Sequence, residues 1–189
     1  MCASLMNKKN FWRDNFLTGQ MPASLDAEAF AELYRTHTYA VFNYCLFRVS
    51  DRVVAEDLTA DTFERAWRAR GSYRPDRAVF TTWVFSIARH AVTDWQRRRA
   101  RRPLFKLNPE QPSETPLLEA QFEESEQQTR LRRLVQTLAA DEQELIALKF
   151  GAGMTNRHIA ELLGKSESAV GSAVYRIMQK LRGQWDKST

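Results

Sequence analysis

The stretch Asn156-Arg157-His158-Ile159-Ala160-Glu161-Leu162-Leu163-Gly164-Lys165-Ser166-Glu167-Ser168-Ala169-Val170 decides the architecture. Ile159, Leu162 and Leu163 recur at helical spacing. Ala160 is small enough to let a second helix approach, and Gly164 tolerates the positive φ of a tight turn. Ser166 can cap a new helix, whose Val170 packs with Ile159. Two helices joined by such a turn form a helix-turn-helix, which aims the amides and hydroxyls opening its second helix at phosphates or base edges. An ordinary αα-hairpin with glycine in its turn satisfies the same local rules, so the flanking chain has to decide between them.

Outward from this turn the pattern stays helical. Residues 169–182 continue the second helix, 145–150 precede the first, and Leu131, Leu134, Val135 and Leu138 predict a short helix before that. Near the other end, Phe30, Leu33, Tyr34, His37, Val41, Tyr44 and Cys45 recur every three or four residues from Asp26 onward, the mark of an amphipathic helix. Ser50 or Asp51 can cap the next helix, which carries Val54, Leu58, Phe63, Ala66 and Trp67 and which Gly71 can end. Beyond a turn at Tyr73-Arg74-Pro75-Asp76, Trp83, Ile87, Ala91 and Trp95 mark a third helix that runs into Arg97, Arg98, Arg99, Arg101 and Arg102. No strand pair is evident, so the predicted fold class is all-α.

Charge and proline divide the 189 residues. Residues 1–109 carry a net charge of +7, residues 110–126 hold six glutamates and no cation, and residues 127–189 carry +4. Pro103, Pro109, Pro112 and Pro116 fall in or just before the acidic stretch, and proline both lacks the amide donor and biases its predecessor away from helix. The expected organisation is an N-terminal extension (1–25, with a short helix around 11–17), a helical domain (26–102), an acidic flexible linker (103–126) and a second helical domain (127–189). Two basic blocks flanking an acidic strap suit modules that each meet a polyanion.

Several classes are excluded or disfavoured. No run of apolar residues is long enough for a membrane span, and no secretory leader is visible. Cys2 and Cys45 make no disulfide framework, which points to the reducing cytoplasm. His37, His90 and His158 sit in no metal-ligand spacing. No P-loop, nucleophile elbow or paired carboxylate with a base appears. We therefore expect no enzyme, no metal and no cofactor.

The residues that point to a partner are cationic and aromatic. Six cations lie within residues 97–106, close to Phe80, Trp83, Phe85 and Trp95. Arginines hold phosphates and aromatic faces stack on unpaired bases, so this combination suits locally opened DNA. The spacing of Trp83 and Trp95 also suits a core, which makes Phe80 and the polar loop 72–78 the better candidates for base contact. In the second module the face after the turn offers Glu167, Ser168, Gly171, Ser172, Ala173 and Arg176, with Lys165 before it and Lys180 after. Phosphate contacts dominate affinity, so a helix this poor in cations needs a second module or a carrier. Gly171 also costs that helix about 1 kcal/mol relative to Ala.

The stretch from Ala55-Glu56-Asp57-Leu58 through Asp61-Thr62-Phe63-Glu64-Arg65-Ala66-Trp67, with 73–89 and the arginine run, resembles region 2 of the extracytoplasmic-function (ECF) sigma factors of bacterial RNA polymerase. Residues 138–181, including Ile159-Ala160-Glu161-Leu162-Leu163-Gly164, resemble region 4 of the same family. The resemblance implies two small helical domains that bind the core polymerase, through its β′ clamp and β flap, and promoter DNA. It places Asp57, Leu58, Asp61, Phe63 and Arg65 on the helix that carries the clamp contact, with Leu58 and Phe63 also suited to the core. It assigns Arg74, Asp76, Arg77, Phe80, Trp83, His90, Arg97, Arg98 and Arg99 to the −10 element. Lys165, Ser166, Glu167, Ser168, Ser172 and Arg176 fall to the −35 element. ECF factors are often held by an anti-sigma partner.

This sequence departs from the family pattern at His90, where Asn is usual, at Ala60, where Gln is common, and at Gly171 and Ala173, where basic residues are usual. The implied function is promoter selection and melting for the polymerase. Its rivals are a stand-alone helix-turn-helix regulator that binds a palindrome as a dimer, and a polymerase-binding decoy that has lost promoter reading.

Overall fold

A computed structural model describes residues 25–101 and 126–187. The expected helix at 11–17, the Cys2 thiol and almost all of the acidic linker lie outside the described residues.

Helix α1 (Ala27–Val49) starts where the Asp26 carboxylate accepts the Ala29 amide at 2.8 Å. It ends at Ser50, whose left-handed φ of 56° lets its amide reach Leu46 O. Of the two capping candidates, Asp51 therefore opens α2 (Arg52–Ala69), accepting the Val54 amide at 3.1 Å, while Ser50 closes the helix before it. Gly71 does not end α2 by a positive φ. The helix tightens instead into a 3₁₀ turn over Arg70–Ser72, closed by Tyr73 N–H on Arg70 O. After the loop comes α3 (Phe80–Arg101).

These three helices pack on one another around Leu33, Val41, Tyr44, Cys45, Val84 and Phe85, all buried. An edge-to-face aromatic group seals one end: Phe30 meets Phe63, Trp67 and Phe80 with ring centroids 5.1–6.5 Å apart, a spacing at which aromatic pairs add to plain area burial. Cys45 is core, as its spacing predicts, and burial pushes its thiol up to about 12.

The second module begins with α4 (Glu126–Gln136) and α5 (Ala140–Ile146). Glu142 accepts the Ala139 amide at 3.0 Å, which satisfies one orphan donor at the start of α5. The predicted helix at 145–150 is α-helical only to Ile146 and then widens into a π turn over Ala147–Gly151, with Ala152 N–H reaching Ala147 O at 2.8 Å. Helix α6 (Asn156–Leu163) is capped by Thr155, and α7 (Glu167–Lys187) is preceded by Ser166. Among the described residues no strand occurs, and the fold is all-α.

The two modules touch. The π turn lies against α1, and α6 lies against α3. Their contact leaves the arginines at 97–99 and the turn at Gly164 exposed.

Candidate nucleic-acid interface

The turn between α6 and α7 has the geometry its residues require. Gly164 takes φ +62°, and the next amide, Lys165 N–H, bonds back to Ala160 O at 2.9 Å. Ser166 Oγ accepts the Ala169 amide at 3.2 Å. Ile159, Ala160 and Val170 are buried between the helices. Gly171 lies beside Asn156, whose Nδ2 would stand 3.4 Å from an added Cβ. Lys165, Ser166, Glu167, Ser168, Ser172 and Arg176 are all exposed. The face is thus built of short hydroxyls around a capped N-terminus, with one cation before the helix and one a few turns in.

The N-terminal site is organised by Tyr73. Its ring is buried against Phe80 and Trp83, at centroid distances of 5.9 and 5.0 Å, and its hydroxyl donates to Ala78 O at 3.1 Å. Burial pushes that phenol up to about 12, so it remains a donor at neutral pH. The loop thereby closes on itself, helped by Arg77 N–H on Arg74 O at 3.1 Å. Arg74, Asp76 and Arg77 project into solvent from it. Arg74 also donates to Gly71 O and Tyr73 O, each at 3.1 Å.

Along α3, Trp83, His90 and Arg97 recur every seven residues. Seven residues make nearly two whole turns, so the three form a stripe about 21 Å long. Trp83 is half-buried, while His90 and Arg97 are exposed. Arg98 and Arg99 extend the positive end, and Arg99 lies over the Trp95 ring at 5.2 Å. Among the described residues no carboxylate pairs with Arg74, Arg77, Arg97, Arg98 or Arg99. These cations are free to release counterions to a nucleic-acid backbone.

Three expected contact residues are core instead. Phe80 is 2% exposed and sits between Phe30, His37, Tyr73 and Trp83, so it shapes the loop from beneath rather than stacking on a base. Leu58 and Phe63 are buried on the inner side of α2. The outer side of that helix presents Asp57, Asp61 and Arg65. Arg65 is also a brace: it pairs with Asp61 at 2.7 Å and reaches Asp94 on α3 at 3.7 Å.

Sequence reasoning missed Tyr73 as the loop's anchor, because it lies in a polar segment. It also missed the seam between modules, where Tyr44, Arg48 and Arg89 converge on Glu144. Among the described residues no cluster of three potential metal ligands occurs, and no helix is long and apolar enough to cross a membrane.

Residues 33–102 match the family model described as Sigma-70 region 2, and residues 128–181 match Sigma-70, region 4. The chain is 31% identical over 160 residues to ECF RNA polymerase sigma factor BldN of Streptomyces coelicolor, an alignment covering 82% of this chain and 60% of that protein. It is 26% identical to RNA polymerase sigma factor YlaC of Bacillus subtilis, over 85% of this chain and 94% of that one. Its fold is similar to that of the sigma factor RpoE from Bartonella quintana, solved in complex with the anti-sigma factor NepR. That match has a TM-score of 0.66 at 22% identity and covers 85% of this chain and 98% of the other.

Proposed function

The chain belongs to the sigma-70 family, in its extracytoplasmic-function group, and from that premise we propose that it joins core RNA polymerase, brings it to specific promoters and helps to open them. It acts by binding alone and carries out no covalent chemistry of its own. The observation that carries this reading is the pairing, in order along one chain, of a region 2 match that contains the cationic stripe of α3 and a region 4 match that contains an exposed, capped helix-turn-helix.

The division of labour follows from the chemistry of each surface. Helix α7 meets closed duplex at the −35 element, with the hydroxyls of Ser166, Ser168 and Ser172 and the opening amides of the helix set toward the backbone and base edges. Lys165 and Arg176 add phosphate contacts, and Glu167 is placed to accept from a cytosine amine. Helix α3 and loop 73–78 take the −10 element once its strands part. Trp83 offers a stacking face, His90 a hydrogen-bonding edge, and Arg74, Arg77 and Arg97–99 hold the phosphates, with Asp76 at the loop's exposed rim. Binding of unpaired bases offsets the unstacking of each step, a matter of a few kcal/mol.

Asp57, Asp61 and Arg65 on the outer face of α2 supply the contact with the β′ clamp, and the second module docks on the β flap. An anti-sigma protein is the expected regulatory partner, as one is for the Bartonella relative, and the cytoplasm is the expected compartment.

Run-off transcription with purified core polymerase and genomic fragments tests this. Discrete transcripts that start only when the chain is added support the reading. A palindromic footprint formed without polymerase points instead to a stand-alone regulator, and polymerase binding without any transcript points to a decoy.

A further inference from the structure

Helix α3 carries a single carboxylate, Asp94, among five arginines. Eleven residues separate it from Trp83, three whole turns and about 20° more, so it stands at the edge of the stripe of Trp83, His90 and Arg97. A carboxylate there repels the polyanion that the arginines attract. It is also placed to engage those arginines itself. Arg97 and Arg98 follow it by three and four residues, the spacings at which ion pairs form on a helix. The rise of about 6 Å between such positions lies inside the Debye length of ~8 Å at physiological salt.

Neither arginine takes it. Arg97 and Arg98 are exposed, and among the described residues no carboxylate pairs with either. The partner of Asp94 comes from another helix. Arg65 on α2 grips Asp61 with two nitrogens, Nε on Oδ1 at 2.8 Å and Nη2 on Oδ2 at 2.7 Å. A two-point contact of this kind fixes the plane of the guanidinium as well as its position. Its remaining nitrogen, Nη1, faces α3 and lies 3.7 Å from Asp94 Oδ2. The three side chains are 35–48% exposed, so solvent reaches these pairs and they add little to stability. Their consequence lies in which cation Asp94 holds.

We propose that Arg65 is a positioning residue of the −10 site: oriented by Asp61, it occupies Asp94 and so leaves Arg97 and Arg98 free for the phosphates of the opened strand. The inference rests on the promoter-binding reading above, and it gives Arg65 a task beyond its contact with the clamp. Without the guanidinium, Asp94 draws one of the two arginines one turn ahead back onto the helix. Loss of Arg65 therefore harms DNA binding only while Asp94 keeps its charge.

The test uses holoenzyme assembled from the full chain and core polymerase. Its probe is a fluorescent fragment of a promoter mapped by run-off transcription, with the −10 strands left unpaired. Anisotropy over a salt series gives both the affinity and the number of counterions released. Arg65→Ala should bind several-fold more weakly than wild type. Its slope of log K against log salt should be shallower by about 0.7, the value of one phosphate contact on a single strand. Asp94→Asn, which keeps the shape and removes the charge, should bind no more weakly than wild type. The double variant, Arg65→Ala with Asp94→Asn, should recover the affinity and the slope of Asp94→Asn alone. A purely structural or clamp-binding role for Arg65 gives no such rescue, because neither depends on the charge of Asp94.

A double variant as weak as Arg65→Ala, or weakening by Asp94→Asn itself, overturns the proposal. If Arg65→Ala loses its far-ultraviolet helical signal or fails to assemble, Arg65→Gln, which keeps most of the stem, is read in its place. The absence of any transcript from wild type overturns the promoter reading. Transcripts from wild type, with binding that Arg65→Ala leaves unchanged, overturn only the role of Arg65.

Discussion

The hydroxyl of Tyr73 donates to the carbonyl of Ala78 at 3.1 Å, across the loop that carries Arg74, Asp76 and Arg77. Its ring packs on Phe80 and Trp83, so one side chain ties the loop both to itself and to the first turn of α3. Tyr73→Phe keeps the packing and removes only the hydrogen bond, worth about 1 kcal/mol net. It should leave core binding unchanged and reduce strand opening, read as permanganate reactivity of unpaired thymines at the −10 element. Equal opening by the variant would show that the loop needs no such closure.

The exposed arginines at 97–99 extend the stripe of Trp83 and His90. Replacing all three with Ala should lower promoter opening more than core binding. If each holds one phosphate of a single strand, the slope of log K against log salt for a pre-melted promoter should fall by about 2. Fluorescence anisotropy of the assembled holoenzyme over a salt series measures this. Parallel loss of core affinity and DNA affinity would place the cations at the polymerase rather than on DNA.

What could be read in the sequence follows from the range of the forces involved. The helix-turn-helix is legible because its constraints are local: a small residue at Ala160, a positive φ at Gly164, a hydroxyl at Ser166. The three N-terminal helices are legible from apolar spacing. Phe80 misleads because an aromatic beside a polar loop looks like a stacking ring, and only its neighbours Phe30 and His37 on α1 and Tyr73 in the loop show that it is enclosed. The π turn at Ala147–Gly151 leaves no signature in periodicity, since one widened turn shifts the pattern by a single residue. The Glu144 seam is the least legible, because its partners lie 55 to 100 positions away and nothing in the spacing of α5 separates a paired glutamate from a solvated one.

The two glycines of the DNA-facing hairpin should respond in opposite directions. At Gly171 an added Cβ meets only Asn156 Nδ2, at 3.4 Å, an ordinary contact, and the backbone does not lie in the left-handed region. Gly171→Ala should therefore stabilise the module by up to about 1 kcal/mol through helix propensity. At Gly164 there is open space around the added carbon but φ is +62°, so Gly164→Ala should destabilise by about 1–2 kcal/mol through backbone strain. Urea unfolding of the full chain checks both signs. Destabilisation by Gly171→Ala would show that the Asn156 side chain cannot yield.

His37 gives the chain a pH dependence of stability. It is buried on α1 with its ring 5.3 Å from that of Phe80, and burial lowers its pKa from 6.5 to about 4. The folded form therefore holds the imidazole neutral while the unfolded chain takes up a proton below pH 6.5. Stability that is complete above pH 6.5 should decline as the pH falls toward 4 and level off below it, because the unfolded state binds more protons only within that window. At about 1.4 kcal/mol per unit the full effect is of order 3 kcal/mol. His37→Phe removes the titrating group from the same apolar site. The difference in unfolding free energy between wild type and variant, followed from pH 7.5 to 4.5, should change steadily across the window, with wild type losing relative to the variant. A difference that stays constant over this range would mean that the imidazole titrates alike in the folded and unfolded chain, so that its site does not exclude the charged form.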